Sequence, residues 1–234
     1  MNGNISAICN GEIYNYEALK AKYGFKFETG SDCEILLHLY KKFGNVADFI
    51  DELDGVFAFI IHDADKNLTF IARDPIGVRP MFLGFDASDN LCAASEAKAL
   101  IGLARPETIK PFPPGNHWNS ESKIFTQFWN PVHNLEEVDL ETWDETEALK
   151  TTADLLYKAV QKRMLSDRPI GTFLSGGLDS SLVASMILKF LKENGKEPKL
   201  NTFSIGLPGS PDLAYSKIVA AHIESQHHHV EVKM

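Results

Sequence analysis

The sequence predicts an α/β protein built in two parts, a layered α+β N-terminal part followed by the start of a parallel-sheet α/β part. Three observations carry this. Between residues 55 and 94, apolar runs are paired across short turn-forming segments, as consecutive hairpins are. From residue 170 to the C-terminus a strand–helix–strand–helix–strand alternation gives the pattern of parallel strands with crossover helices. Between the two, Pro106, Pro111, Pro113, Pro114, Gly115 and Pro131 interrupt any long element, and an acidic stretch follows at 136–147. The parts are placed at 1–104 and 144–234, with 105–143 as a linker.

In chain order, Ser6 to Cys9 is a short apolar run that stops at the turn dipeptide Asn10-Gly11. Glu34 to Lys42 has helical apolar spacing and is ended by Gly44. Val56 to Ile61 is continuously apolar, as a strand buried on both faces is, and the turn at 63–67 leads into a second strand, Leu68 to Ala72. Met81 to Phe85 and Leu91 to Ala94 form another pair, and Ser95 is placed as the N-cap of a short helix through Leu100. Ala148, Leu149, Leu155, Leu156, Ala159, Val160 and Met164 recur at helical spacing up to Arg168-Pro169. Strands are then expected at 170–174, 200–205 and 229–232, with helices at 182–191 and 212–223.

Composition narrows the function classes. The 234 residues are 44% hydrophobic and 24% charged, ordinary for a globular chain that can bury a core without staples. With 23 Lys+Arg against 32 Asp+Glu, the net charge of -9 argues against nucleic-acid binding, which needs a basic face to replace counterions. No apolar run approaches the roughly 18 residues of a membrane span. Cys9, Cys33 and Cys92 are too few and too scattered for a disulfide framework or thiolate cage, so a cytoplasmic setting is expected.

The strongest chemical signal is Ser175-Gly176-Gly177-Leu178-Asp179-Ser180-Ser181, set between a strand and a helix. Paired glycines let backbone amides approach a polyanion closely, and the hydroxyls of Ser180 and Ser181 sit where a helix N-terminus carries partial positive charge. The loop has no lysine, and its spacing matches neither the Walker A nor the dinucleotide-binding pattern. Phosphate binding is the chemistry expected.

SGGLDSS resembles the pyrophosphate loop of the N-type ATP pyrophosphatases. In the N-terminal half, Asn10 to Asn15 (NGEIYN), Gly30 to Glu34 (GSDCE), Asp54 to Phe59 (DGVFAF), Arg73 to Pro80 (RDPIGVRP) and Ser95 to Lys98 (SEAK) resemble the amidotransferase half of the glutamine-hydrolysing asparagine synthetases. Gly206 to Leu213 fits the same family. The resemblance implies an Ntn-hydrolase-like αββα fold followed by an adenine-nucleotide-hydrolase-like one, and the activity of a carbon–nitrogen ligase. Glutamine supplies ammonia, ATP and aspartate give β-aspartyl-AMP and pyrophosphate, and ammonia attacks to give asparagine. It further implies glutamine binding by Asn10, Gly11, Glu12 and Asp32, with Asn10 and Gly11 forming an oxyanion hole. ATP would contact Leu174, the loop from Ser175 to Ser181, and Ile205, with Mg2+ countering the phosphate charge. A homodimer is compatible with that family.

Two departures from the family pattern set expectations. Its nucleophile is a cysteine exposed as the first residue, whereas Met1 is followed here by Asn2, and an arginine-containing segment before NGEIYN is missing. The family's synthetase domain also runs well beyond Met234. The chain is therefore expected to be a fragment lacking both ends, with neither glutaminase nor synthetase activity by itself. A catalytically dead paralogue that binds ATP or a partner enzyme, and a β-lactam-synthetase-like ligase, are the alternatives. Cys9 is read as a small buried hydrophobe rather than a substitute nucleophile. His227, His228 and His229 alternate faces in an extended strand and are read as structural, and Arg73 with Asp74 as an ion pair bracing the hairpin before Pro75.

Overall fold

The computed structural model describes residues 4–130, 144–195 and 199–232. The N-terminal pair Met1-Asn2, the linker stretch 131–143 and the last two residues lie outside them. The chain forms two compact units, Met1–Glu136 and Glu137–Met234.

The first unit is built on an antiparallel sheet of five strands. β1 (Ile5–Ile13) pairs with β2 (Gly55–Asp63), and β2 with β3 (Leu68–Arg73). The stretch 105–130, read from its prolines as linker, contributes three further strands to this unit. β7 (Asn116–Asn119) pairs with β3, and β8 (Phe125–Gln127) with β7, giving the order β1-β2-β3-β7-β8. A second sheet has the order β5-β4-β6, from β4 (Phe82–Phe85), β5 (Leu91–Ala94) and the two-residue β6 (Lys110–Pro111).

β2 explains the layering. Its alternate residues Phe57, Phe59 and Ile61 face a core shared with α1 (Tyr16–Tyr23) and α2 (Ile35–Phe43), where Leu19, Leu36 and Leu39 are buried. Ala58 faces the other way, into a core of Ile71, Met81, Leu83, Phe112 and Trp118 that joins the two sheets. Helices, first sheet and second sheet thus stack as layers, with β2 feeding both cores.

Local expectations fail at three points in this unit. Asn10-Gly11 is no turn, since β1 runs through it, with Gly11 opposite Phe57. A Cβ at Gly11 would lie 2.3 Å from the Val56 carbonyl oxygen, so glycine is there for a close strand approach rather than for chain reversal. Ser95 does not cap the 3₁₀ turn Ala97–Leu100, whose N-cap position is Glu96. Arg73 and Asp74 do not pair with each other. Arg73 donates to the carbonyls of Gly77, Arg79 and Phe112, while Asp74 accepts from loop amides.

The second unit opens with α3 (Glu145–Lys162), capped by the Asp144 carboxylate, which accepts from the Thr146 amide at 2.8 Å. β9 (Gly171–Phe173), α4 (Leu178–Glu193), β10 (Asn201–Gly206), α5 (Pro211–His222) and β11 (Gln226–Glu231) follow. The strands are parallel in the order β11-β10-β9. Val160 of α3, Met164 in the turn just after it, Ala184, Ile187 and Leu188 of α4 and Ala220 of α5 form the core on one face of the sheet. On the strands, Phe173 is 80% exposed, Ile205 64% and Val230 57%.

Candidate functional site

The residues expected to bind glutamine cluster at the C-terminal end of β1. Among the described residues this is an edge strand, with β2 on one side of its backbone and no strand on the other. The Ile13 amide donates to Asp32 Oδ2 at 2.6 Å, and the Gly11 carbonyl accepts from the Cys33 thiol at 3.8 Å. Both groups therefore point away from β2. In an antiparallel strand the N–H and C=O of one residue share a side, so the Gly11 amide is turned to the same open edge. Asn10 and Glu12 project to the opposite face from Gly11. Asn10 Nδ2 donates to Ser95 Oγ at 3.2 Å, and Glu12 pairs with Arg79 at 3.7 Å. An amide donor, a side-chain amide and two carboxylates thus converge around one strand end. A cleft of about 220 Å³ adjoins them, lined by Ile8, Asn10, Ala58, Ile60, Met81 and Ser95 among others.

Two buried carboxylates shape this patch. Glu34 accepts from the Glu28 and Thr29 amides at 2.7 Å each, from the Thr29 hydroxyl and from His38 at 3.1 Å, which holds loop 28–31 beside Asp32. Burial works to raise its pKa, but these donors outweigh it and bring the carboxyl down to about 2. Asp74 accepts from the amides of Phe57, Ile76, Gly77, Val78 and Arg79, fixing the loop that presents Arg79 to Glu12. Cys9 is half-buried against the first core. The hydrogen bond to Cys33 first, then burial, push its pKa up, so it is a protonated thiol and not a free nucleophile.

In the second unit the loop 175–181 joins β9 to α4. The helix begins inside the motif, at Leu178, rather than at 182 as its apolar spacing suggests. The amides of Leu178, Asp179 and Ser180 lie in its first turn, where no intrahelical acceptor exists. Gly176 has φ +84°, and a Cβ there would lie 2.5 Å from the Ser216 amide nitrogen, so α5 packs directly on the loop and only glycine fits. The hydroxyls turn inward. Ser180 and Ser181 donate to the Gly177 carbonyl at 3.2 and 2.6 Å, and Ser175 Oγ accepts from the Gly177 amide at 3.2 Å. Donation to an outside anion therefore falls to backbone amides, with the hydroxyls shaping the loop. Leu174 is buried in the core and Ile205 is exposed on the strand face, so the two side chains do not meet.

Sequence reasoning missed two pairings here, while His227 keeps the structural role expected of it. Ser95 and Arg79 lie in motifs but are tied to Asn10 and Glu12 only by the fold. His227 anchors a polar network behind the loop, with Nδ1 2.9 Å from Thr202 Oγ1 and Nε2 3.1 and 3.3 Å from Ser204 and Ser216 Oγ. His228 lies on the other side of β11, stacked on Phe203 and 3.0 Å from Asn201 Oδ1, which realises the alternation expected of the histidine triplet.

Comparison with known proteins matches this arrangement to two families in chain order. A glutamine amidotransferase domain model matches residues 1–154, and an asparagine synthase model matches residues 151–234. Asparagine synthetase B (glutamine-hydrolyzing) of Escherichia coli strain K12 is 38% identical over 232 residues, covering 94% of this chain and 40% of that protein. The asparagine synthetase (glutamine-hydrolyzing) of Cricetulus griseus is 40% identical over 240 residues, covering 94% and 43%. The chain thus spans about two-fifths of the length of the curated relatives it matches. Among solved structures, glutamine phosphoribosylpyrophosphate amidotransferase from B. subtilis aligns at 21% identity with a TM-score of 0.46, over 83% of this chain and 45% of that one. The chain belongs to the glutamine amidotransferase domain family over residues 1–154 and continues from residue 151 into an asparagine synthase segment.

Proposed function

We propose that this chain is part of a glutamine-hydrolysing asparagine synthetase, in which ammonia released from glutamine attacks an aspartyl adenylate made from aspartate and ATP. The first unit receives glutamine. Asp32 faces the ammonium group, Glu12 lines the pocket, and Asn10 Nδ2 with the Gly11 amide donates to the oxyanion that forms as the amide carbonyl is attacked. Glutamine displaces the Asn10–Ser95 hydrogen bond as it enters.

The second unit binds ATP. The observation that carries this reading is the loop 175–181, in which a strand leads through a left-handed glycine into the N-terminus of α4. Its amides hold the pyrophosphate end of ATP. Mg2+, when bound, neutralises phosphate charge. Asp179, the carboxylate of this loop, is the residue here that would help hold it. Three free cysteines and the excess of acidic residues support a cytoplasmic setting without nucleic acid as a partner.

ATP titration of the chain with Mg2+ tests the reading. Gly177 has φ -74°, which any residue adopts, and the nearest atom to an added Cβ is Ser175 Oγ at 3.4 Å. Gly177→Val therefore keeps the fold while placing a side chain over the amides, and ATP affinity falls at least tenfold with an unchanged circular dichroism spectrum. Equal affinity in the variant, or no binding by the parent chain at millimolar ATP, refutes the assignment.

A further inference from the structure

We infer that His227 is a positioning residue for the loop 175–181, holding α5 against Gly176 through the Ser216 hydroxyl and so tying the loop's grip on ATP to the protonation of one imidazole. The inference rests on the assignment of that loop to ATP. The chain of contacts is short. Gly176 lies flat on Tyr215 and Ser216 of α5, since an added Cβ would sit 2.5 Å from the Ser216 nitrogen and 2.5 Å from the Tyr215 Cβ. The second turn of α5 is thus the floor of the loop, and in a close-packed interior a shift of that turn moves Gly176. Hydroxyls fix this floor from behind. Ser216 and Thr202 are fully buried and Ser204 is nearly so. The Ser216 hydroxyl reaches the Leu213 carbonyl at 3.1 Å and Ser204 Oγ at 3.3 Å, and His227 Nε2 lies 3.3 Å from it. Nε2 also lies 3.1 Å from Ser204 Oγ, and Nδ1 lies 2.9 Å from Thr202 Oγ1, which meets Ser225 Oγ at 2.9 Å. One ring therefore links β11, β10 and α5. Buried hydroxyls are costly to leave without a partner, so the place of the ring sets theirs.

A charge on the ring disturbs this arrangement. The groups that act on His227 are His229 and His228 on β11 and Lys217 on α5, none of them acidic, while β10 supplies only the Thr202 and Ser204 hydroxyls. A proton therefore creates a half-buried cation with no carboxylate to offset it. Lys217 is the residue next to Ser216, so the repulsion pushes at the very turn that supports Gly176. The neutral ring leaves the floor in place, and ATP is held more tightly above the His227 pKa than below it. Two amide side chains separate the contacts. Glutamine carries its amide to the position of Nε2 and asparagine only to that of Nδ1, so Gln keeps a partner for Ser216 without titrating.

The test uses the full chain in two arms. Without nucleotide, amide NMR spectra follow Gly176, Gly177 and Ser216 between pH 7.5 and 5, alongside the His227 ring signals. The amides are expected to shift with the midpoint of that ring, and H227Q to remove the shift. With Mg2+ and ATP, calorimetry compares the parent, H227Q and H227N at pH 7.5 and 5.5, where protonation of the nucleotide itself cancels between variants. On acidification the parent is expected to lose affinity relative to H227Q by about fivefold, the contribution of one buried hydrogen bond. At pH 7.5 H227Q is expected to match the parent, and H227N to bind about fivefold more weakly. Loop amides that ignore the His227 midpoint overturn the proposal whether or not ATP binds. Amides that follow it in a parent chain that binds no ATP support the positioning and refute the ATP assignment. Affinity that rises on acidification relative to H227Q, as a cation acting directly on the phosphates would produce, overturns the proposal, as does equal binding by H227N and the parent.

Discussion

Asp74 is 1% exposed and accepts five backbone amides, four from the loop it organises and one from Phe57 on β2. Asp74→Asn turns an amide group toward those donors and leaves several unsatisfied. A loss of about 3 kcal/mol or more follows, measured as a lower denaturation midpoint at unchanged slope. Glu34 adds a pH dependence. Its folded carboxyl ionises near pH 2 against an ordinary 4.5, so the unfolded chain takes up the proton first. The stability it contributes is complete above about pH 4.5 and is lost as pH falls toward 2. Glu34→Gln lowers stability at neutral pH and flattens the acid limb of the pH–stability curve, which denaturant titrations between pH 2 and 6 detect. An unchanged acid limb would contradict this account.

At the scale of elements, the network of Thr202, Ser204, Ser216 and His227 joins β10, β11 and α5 behind the loop whose Gly176 packs on α5. Burial first, then neighbouring His229, His228 and Lys217, hold His227 below its ordinary 6.5. Its neutral form is favoured in the fold, so the second unit loses stability as pH falls below 6.5, because the unfolded state binds the proton there. His227→Gln removes that slope between pH 7 and 5, followed by the fluorescence or amide signals of the second unit. Elements were legible in the sequence where period and turn chemistry agreed. The hairpin β2–β3, the helix α2 ended by Gly44 and the alternation from β9 to β11 all fall within a few residues of expectation. Those that escaped have physical reasons. α1 buries only Leu19 and carries almost no apolar stripe. β6, β7 and β8 are two to four residues long, set among prolines, and owe their existence to the sheets they join. α4 starts four residues early because its first turn is polar and exposed, as the proposed anion site requires.

At the scale of the whole molecule, the two units differ in how completely their sheets are covered. The five-stranded sheet has helices on one face and the second sheet on the other. The parallel sheet has its core on one face, and Phe173, Phe203, Ile205 and Val230 are exposed on its strands. Each exposed apolar side chain forgoes roughly 1.5–3 kcal/mol of burial. The second unit is therefore the less stable, and its strand amides exchange with deuterium faster than those of β2 and β3. Equal protection in both units would show that this face contributes little.

The linear chain by itself determined the alternation of elements, the glycine-rich loop and the motifs that mark the family, because these depend on neighbours a few residues apart. Only the tertiary structure decided which side chains meet. Asn10 finds Ser95 across 85 positions, Glu12 finds Arg79, and the Cys33 thiol reaches the Gly11 carbonyl. It also turned Asn10-Gly11 from an expected chain reversal into a strand. The physical reason is the same in each case. A close approach between β1 and β2, and the carboxylate-clamped loops around them, set distances that no local pattern encodes.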